Sequence, residues 1–416
     1  MLTVLLVTAG LVSCVPQDTL SPAARRVLAD VRFLADDGQE GRGVGTAGLE
    51  RSGTYIRDAF ARAGLRVSFQ DFTIPADAPA VLHTTLGGAP ARNVIAILPG
   101  ASPARRGEVV VIGAHYDHLG LGGFGALDPD STGRVHNGAD DNASGTAALL
   151  EIARLLAGGR RPARTVVFVA FSGEELGTLG SSYFVQHPLP QPMDSTYAML
   201  NLDMVGRLRS GRLVALGVGT AKEFPALLDS LNTPPRFDLR ASGDGWGPSD
   251  HAAFFAVRRP VLHFFTDLHE DYHRSTDDWE KINATGLAQV AQFVADVARA
   301  LANRPGPLTF VDAPRPPAAA GGSGSGGYGA YLGTIPDMTG SPGGVRITGV
   351  RVGSPAEQAG LKAGDVITVI GAKAVANLYD MTEALRSHQA GDTVAIVVTR
   401  DGADVRLTAV LGKRPS

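Results

Sequence analysis

The chain lacks the features that mark several large classes of protein. Its 416 residues contain one cysteine, Cys14, so a disulfide framework is excluded and the fold must be held by its core and any bound metal. Aromatic residues make up 6% of the chain, and the formal net charge is -3. Because no basic stripe could neutralise phosphates and few rings could stack on bases, we expect no nucleic-acid partner.

Two sequence signatures do not occur in the positions that their folds require. The chain has no G-x-S-x-G motif, which argues against the nucleophile elbow of the α/β hydrolases. No G-x-G-x-x-G motif opens a helix after a first strand, so a dinucleotide-binding fold is not favoured. With 44% hydrophobic and 19% charged residues, however, the chain can build a sizeable core, and its length predicts two domains.

The N-terminus has the pattern of an export signal. Residues 1–12 form an apolar run that is too short to span a bilayer but matches the core of a signal peptide. The run ends in LVSC (11–14), which resembles a bacterial lipobox, in which the cysteine becomes lipid-modified. We expect residues 1–20 to be this signal region and the protein to be exported. It would be a periplasmic or outer-surface lipoprotein anchored to the membrane through Cys14, or, if that cysteine is fortuitous, a secreted protein.

The central part of the chain alternates between strand and helix patterns. Continuous apolar runs predict buried strands at 108–113, 165–171, 197–202 and 261–265. Helical spacing predicts helices at 25–34, 48–63, 145–156 and 287–301. Strands that are buried on both faces belong to parallel sheets. We therefore predict an α/β domain at 21–311, with an open, mostly parallel sheet and helices on both faces.

A second, smaller domain is predicted after a linker. Residues 312–327 (DAPRPPAAAGGSGSGG) have the composition of a flexible linker. The remainder, 328–416, contains YLGTI (331–335) and SPAEQAGLKAGDVI (354–367), and resembles a PDZ domain of the kind found in bacterial proteases. That resemblance implies a small, mainly β fold that binds the C-terminus of a protein or peptide. The carboxylate-binding loop would consist of Tyr331, Leu332, Gly333, Thr334 and Ile335. A PDZ fold without a working groove is the alternative.

Five short fragments of the central domain carry residue types that bind metals. They are GAHYDH (113–118), GADDNASG (138–145), SGEEL (172–176), NLDMVG (201–206) and DYHRSTD (271–277). Singly, each has an ordinary explanation, such as a solvated glutamate pair or an Asp-Asp turn. Most of them, however, follow a predicted strand, and the carboxyl ends of parallel strands meet at one edge of a sheet. Imidazole and carboxylate groups gathered there would suit zinc.

The five fragments, in this order, resemble peptidase family M28, the co-catalytic zinc aminopeptidases. The resemblance implies a zinc-peptidase/phosphorylase-like fold and two zinc ions per chain. One zinc ion would be bound by His115, Asp141 and Asp203, and the other by Asp141, Glu175 and His273. The bridging ligand would thus be Asp141, and the peptide bond after it is expected to be cis, as in relatives.

The resemblance also implies roles for residues around the ligands. Glu174 would act as the general base, Asp117 would orient His115, and Tyr272 would stabilise the oxyanion. Asp277 would orient His273. His118 and His251 lie near the motifs without occupying a matching position, and either could line the pocket. Ser249-Asp250-His251 resembles a motif near the substrate cleft and is also a plausible helix cap.

The function that follows is zinc-dependent hydrolysis of N-terminal residues from peptides. Within the same superfamily, a carboxypeptidase and a glutaminyl cyclase stay open. The alternative from another class is a non-catalytic PDZ scaffold on a degenerate peptidase fold. The sequence does not predict which N-terminal residue is preferred.

Overall fold

The computed structural model describes residues 20–78, 80–123, 125–128, 132–314, 330–336, 343–376, 380–381, 384–385 and 387–412. Cys14 and all but the last residue of the predicted signal region lie outside these ranges, as does most of the predicted linker. The boundaries predicted around 312–327 therefore stay predictions. Within the described part of the chain, no helix combines the length and the apolar character needed to cross a membrane.

An eight-stranded mixed sheet forms the centre of the first domain in the described residues. Its strands are β1 Arg66–Thr73, β2 Pro90–Leu98, β3 Val109–His115, β4 Thr165–Phe171, β5 Thr196–Leu202, β6 Arg212–Leu216, β7 Asp238–Ser242 and β8 Val261–Phe265. They lie in the order β1-β2-β4-β3-β5-β8-β6-β7. The four central strands, β4, β3, β5 and β8, are parallel. Antiparallel pairs occur towards both edges, so the sheet is more mixed than the sequence predicts.

The four central strands are the four that the sequence predicts. Every residue of β3, β4 and β8 is buried. The predicted limits of β4 and β8 agree with the structure, whereas β3 extends two residues further, to His115. This extension matters because it places His115 on the rigid end of a buried strand.

Helices cover both faces of the sheet, as predicted. They are α1 Pro22–Leu34, α2 Ala47–Arg62, α3 Gly145–Ala157, α4 Leu179–Gln186, α5 Phe224–Leu231, α6 His251–Ala256 and α7 Ala284–Asn303. Successive side chains of a strand point to opposite faces, and β3 shows this directly. Val110 and Ile112 belong to the core shared with α1, α2, α3 and α7. Val109 and Val111 pack instead with Phe184 and Phe254 of α4 and α6.

Local signals explain where the long helices begin. Helix α1 has Pro22 in its first turn, and the Ser21 side chain accepts a hydrogen bond from the backbone N–H of Ala24. Thr46 and Asn283 cap α2 and α7 in the same way. Such caps satisfy N–H groups that have no partner inside the helix.

The second domain is small and mainly β. Its elements are β9 Thr334–Pro336, β10 Val345–Val350, α8 Pro355–Gln358, β11 Val366–Ile370, β12 Lys373–Ala374, β13 Thr393–Arg400 and β14 Ala403–Val410. The strands lie in the order β14-β13-β11-β10-β9, and β12 pairs with β11. Strand β9 is therefore at the edge of the sheet. This domain has its own core, which includes Ile347, Ile367 and Ile396.

Candidate metal centre

The structure brings the five fragments to the carboxyl edge of the central strands. His115 is the last residue of β3, and Asp203 directly follows β5. Glu175 lies four residues beyond the end of β4. His273 lies on the long segment between β8 and α7. Asp141 lies at a kink with non-helical backbone angles in the segment Ala139–Ser144, which leads into α3. Fragments that are far apart in sequence thus meet at one place.

One cluster consists of His115, Asp141 and Asp203. The Nε2 atom of His115 lies 3.3 Å from Oδ1 of Asp141 and 3.3 Å from Oδ1 of Asp203. The three side chains are positioned to offer one ligand atom each to a metal ion. The His115 ring is held from behind, since its Nδ1 atom lies 3.2 Å from the backbone carbonyl oxygen of Asp117.

A second cluster uses the other oxygen of the same aspartate. The Nε2 atom of His273 lies 3.2 Å from Oδ2 of Asp141 and 3.2 Å from Oε2 of Glu175. Burial alone would raise the pKa of Asp141, but its contacts with His115 and His273 hold that pKa well below its usual value. Asp141 therefore stays ionised between the two clusters, as a bridging ligand must.

The backbone around Asp141 is fixed by polar contacts. The Asp141–Asn142 peptide bond is cis, which confirms the expectation. The Asn142 side chain donates to the carbonyl of Leu202 at 2.9 Å and accepts from the N–H of Met204 at 3.2 Å. These contacts connect the Asp141 segment to the loop that carries Asp203.

Asp277 has different partners from those expected. Its Oδ2 atom accepts hydrogen bonds from the N–H groups of Asp140 and Asp141, at 2.8 and 3.1 Å, and Arg207 donates to its Oδ1 atom at 2.9 Å. The Nδ1 atom of His273 lies instead 2.8 Å from the carbonyl oxygen of Gly125. The prediction that Asp277 orients His273 is thus wrong. Asp277 holds the backbone of the bridging aspartate instead. A sequence motif does not show which backbone N–H groups a carboxylate will contact.

Asp117 supports the glutamate pair more directly than it supports His115. Its two carboxylate oxygens accept from the N–H groups of Glu174 and Glu175, at 3.2 and 3.3 Å. Its carboxylate is 3.9 Å from His115, whereas its carbonyl oxygen is closer. Asp117 therefore connects the end of β3 to the loop after β4.

Glu174 and Tyr272 lie beside the clusters. Burial, together with the carboxylates of Glu175 and Asp203, raises the pKa of Glu174 well above its usual value. The Tyr272 ring stacks on His273, with centroids 3.9 Å apart. The roles of Glu174 as general base and of Tyr272 as oxyanion donor stay predictions.

For one histidine at the centre, the sequence predicts no role beyond lining the pocket. The His118 side chain is fully buried, and its Nδ1 atom lies 2.7 Å from Oε1 of Glu175. The available signal was its spacing, three residues after His115 in a buried segment. His251 is also buried but stacks on His263, with centroids 4.5 Å apart, and burial lowers its pKa well below the usual value. Next to it, burial raises the pKa of Asp250 to about 7.

A buried arginine stands behind the carboxylates. The Arg42 guanidinium donates to four backbone carbonyls, those of Leu34, Tyr116, Asn137 and Gly138. Burial lowers its pKa to about 10, while nearby Asp141 and Asp117 oppose that shift. Arg42 thus remains a cation at neutral pH and offsets part of the repulsion between the carboxylates.

The donor atoms fit two zinc ions. Zinc binds imidazole nitrogen and carboxylate oxygen at about 2.0–2.2 Å in tetrahedral geometry, which separates neighbouring donors by roughly 3.3–3.5 Å. The four distances from Nε2 of His115 and His273 to their carboxylate partners, 3.2–3.3 Å, are close to that separation. The chemistry and the spacing of the donors therefore both suit a pair of zinc ions that share Asp141.

A cavity of about 470 Å³ lies beside the segment that carries His273. Arg207 and Arg212 of the first domain line it, together with Ile335 and Thr348 of the second. The arginines are already engaged, since Arg207 pairs with Asp271 and Asp277 and Arg212 lies 3.8 Å from Asp267. We therefore do not assign the substrate to this cavity.

Comparison with known proteins places the chain in a family. Residues 93–298 match the model for peptidase family M28, and residues 330–411 match the PDZ domain. The uncharacterized protein YfbL of Escherichia coli is 30% identical over 318 residues, which cover 68% of this chain and 90% of that protein. The chain belongs to peptidase family M28. It carries a PDZ domain after the peptidase domain.

Other relatives match over a smaller part of their length. Leupeptin-inactivating enzyme 1 of Streptomyces exfoliatus is 27% identical over 302 residues, which cover 67% of this chain and only 61% of that enzyme. The chain therefore spans less than two thirds of this relative.

Solved structures show the same fold at low identity. A zinc aminopeptidase of Bacillus subtilis has a TM-score of 0.56 at 19% identity, covering 67% of this chain and 95% of its own. A glutaminyl cyclase of Porphyromonas gingivalis has a TM-score of 0.55 at 20% identity, covering 66% of this chain and 96% of its own. The fold alone therefore does not separate peptidase from cyclase.

Proposed function

We propose that this protein is a metallo-aminopeptidase that holds two zinc ions and removes N-terminal residues from peptides. The observation that carries the proposal is the Asp141 carboxylate, whose two oxygens face His115 and His273 at 3.3 and 3.2 Å. A carboxylate shared in this way is the bridge that a two-metal hydrolase needs. Asp203 and Glu175 would complete the two zinc sites.

The residues around the bridge divide the chemistry among them. Bound zinc would supply a water molecule of lowered pKa and would polarise the peptide carbonyl. Glu174 takes a proton from the attacking water and delivers it to the leaving amine. Asp117 accepts hydrogen bonds from the N–H groups of Glu174 and Glu175. It thereby fixes the general base, Glu174, relative to the neighbouring ligand, Glu175. The Tyr272 hydroxyl donates to the oxyanion as it forms.

A substrate panel tests this function against its alternatives. We expect purified protein with measured zinc content to cleave unblocked aminoacyl chromogenic substrates and to leave N-acylated ones intact. Equal rates on blocked and free substrates would refute the aminopeptidase activity. Release of ammonia from an N-terminal glutaminyl peptide would indicate a cyclase, and release of a C-terminal residue a carboxypeptidase. No turnover of any substrate, with zinc bound, would support a non-catalytic scaffold.

The PDZ domain would bind a peptide C-terminus at β9. This strand pairs with β10 and ends the sheet, so its outer edge can accept an added strand. In the preceding loop, Gly333 has φ +85°, and the N–H groups of Leu332 and Gly333 donate no hydrogen bond within the described residues. Two adjacent N–H groups that have no partner among the described residues could hold a carboxylate. Peptides with a free C-terminus should therefore bind, and their amidated forms should not.

We also propose that the protein is exported and anchored through a lipid on Cys14. The support is the apolar run 1–12 followed by LVSC, the pattern of a lipobox. Mass spectrometry of the mature N-terminus checks this. Partition of a Cys14→Ser variant into detergent as complete as that of the wild type would contradict the anchor.

A further inference from the structure

His118 stands in a position that the metal ligands do not account for. Its side chain is 0% exposed, and its Nδ1 atom lies 2.7 Å from Oε1 of Glu175 and 3.9 Å from Oδ2 of Asp141. Its ring contacts His273 edge to face, with centroids 5.8 Å apart. His118, Asp141 and Glu175 are placed so that each could offer one ligand atom to a metal ion. His118 could therefore be a third histidine on the metal, or a residue that acts on Glu175.

The distances favour the second role. The histidine–carboxylate distances at the two clusters are 3.2–3.3 Å, close to the separation of two donors on one zinc ion. The His118–Glu175 distance of 2.7 Å is shorter and typical of a charge-assisted hydrogen bond. A carboxylate that binds a cation is ionised and only accepts, so the Nδ1 atom of His118 must carry the hydrogen.

The fold reserves space for this ring. A Cβ atom at Gly138 would lie 2.4 Å from Cδ2 of His118, so a residue larger than glycine there would displace the imidazole. The backbone N–H of His118 donates to the carbonyl of Arg42 at 3.1 Å. A ring that is fixed at its backbone and buried on all sides can hold its partner with little freedom of its own.

We propose that His118 is a positioning residue that holds Oε1 of Glu175 by a hydrogen bond and leaves Oε2 for the zinc ion next to His273. This inference rests on the proposed function, because it assumes that Glu175 binds zinc. The Oε2 atom already faces Nε2 of His273 at 3.2 Å. With one oxygen held, Glu175 binds through the other alone, which fixes the direction of the ligand. Partners of this kind typically change metal affinity by roughly 10–100-fold.

The test compares two substitutions at this position. The His118→Leu variant fills a similar volume without a donor. The His118→Asn variant places a side-chain N–H near the position of Nδ1. Zinc affinity is measured by competition with a chromophoric chelator, and the thermal midpoint of the zinc-free protein reports folding. His187, whose Nδ1 atom contacts its own helix backbone at Tyr183, provides the matched control as His187→Leu.

We expect His118→Leu to weaken one of two zinc sites by roughly 10–100-fold, and His118→Asn to recover most of that loss. The other zinc site should keep its affinity, as should both sites in the control. If both sites of His118→Leu bind zinc as the wild type does, the inference fails. If His118→Asn is as weak as His118→Leu, the positioning role is wrong, and a cobalt-substituted spectrum that differs from that of the wild type would then identify His118 as a ligand. A wild-type protein that binds fewer than two zinc ions would refute the proposed function instead.

Discussion

The two halves of the candidate metal centre share Asp141, but the other ligands lie at strand ends in one half (the strand-built half) and in loops in the other (the loop-built half). In one half, His115 is the last residue of β3 and Asp203 directly follows β5. In the other, Glu175 and His273 lie on segments outside strands and helices, and His273 has φ +56°. A strand end places its ligand through the sheet itself. A loop ligand depends on the polar side chains that hold it, here His118, Asp117 and the carbonyl of Gly125.

Removal of Asp141 should affect both halves of the metal centre, because each half uses one oxygen of its carboxylate. We expect Asp141→Ala to lose both zinc ions and to lower kcat/KM by more than the roughly 10²–10³-fold seen when a single stabilising donor is removed. Metal analysis after gel filtration, together with turnover of an aminoacyl substrate, checks this. A variant that retains one tightly bound zinc ion would show that the halves are independent of the bridge.

Substitution of Glu174 should lower the rate of hydrolysis without removing zinc from either half. We expect Glu174→Gln to lower kcat by roughly 10²–10⁴-fold, because proton transfer is lost while the ligands remain. Zinc content should equal that of the wild type. Near-normal turnover with zinc bound would remove Glu174 from the mechanism.

Asp277 should affect zinc binding indirectly, through the backbone of the bridging residue Asp141. We expect Asp277→Asn to weaken zinc binding by roughly 10–100-fold, since Arg207 and the N–H groups of Asp140 and Asp141 lose an ionised acceptor. Zinc competition measures this, and Asp229→Asn, a change on the exposed face of α5, is a suitable control. Unchanged affinity would mean that the Asp141 segment is held well enough by Asn142.

Graded removal of zinc should distinguish the halves themselves. Loops open locally at lower free-energy cost than buried strands. A chelator titration is therefore expected to remove the zinc ion next to His273 first. Hydrogen exchange should then speed up around 266–278 while the amides of β3 stay protected. A single concerted loss, or loss from the His115 side first, would contradict the idea that the strand-built half is the stiffer one.

The smallest effect on catalysis should come from the second domain. A side chain at Gly333 would bring its Cβ to 2.3 Å from Cβ of Ser354, at a φ of +85°. We expect Gly333→Val to abolish binding of a free C-terminus and to leave turnover of small aminoacyl substrates unchanged. Val410→Ala, at a position on β14 that is 58% exposed, is the control on the same domain. Equal peptide binding by the two variants would rule out the loop as the carboxylate site.

The sequence predicts the strand-built half of the centre better than the loop-built half. Strands β3, β4, β5 and β8 are found because each is a continuous apolar run that is buried on both faces. Strand β1 was not predicted, because its pattern alternates and is largely exposed. The predicted strands place His115 and Asp203 at one edge of the sheet and His273 a loop beyond it, whereas the assignment of all three as ligands came from the family resemblance.

The contacts that hold the ligands are the least predictable part. The partners of Asp277 and Asp117 are mainly backbone N–H groups, which every residue except proline has and no motif records. His118 differs, because a polar residue inside a buried segment next to a metal motif is a visible signal. Its role still depends on which atom of Glu175 it faces, and that is decided by three-dimensional packing.

Arg42 has a consequence for where the catalytic unit begins. The match to the family model starts at residue 93. The carbonyls of Asn137 and Gly138, in the loop before Asp141, nevertheless accept hydrogen bonds from Arg42, which lies about fifty residues before that start. A shortened chain beginning at residue 93 would leave the carbonyls of Asn137 and Gly138 without their donor and the carboxylates without a buried counter-charge. The segment Asp37–Arg42 therefore belongs to the structural unit that holds the candidate zinc ligands. We expect a polypeptide that is cut between 42 and 93 to bind zinc only when the missing piece is supplied in trans.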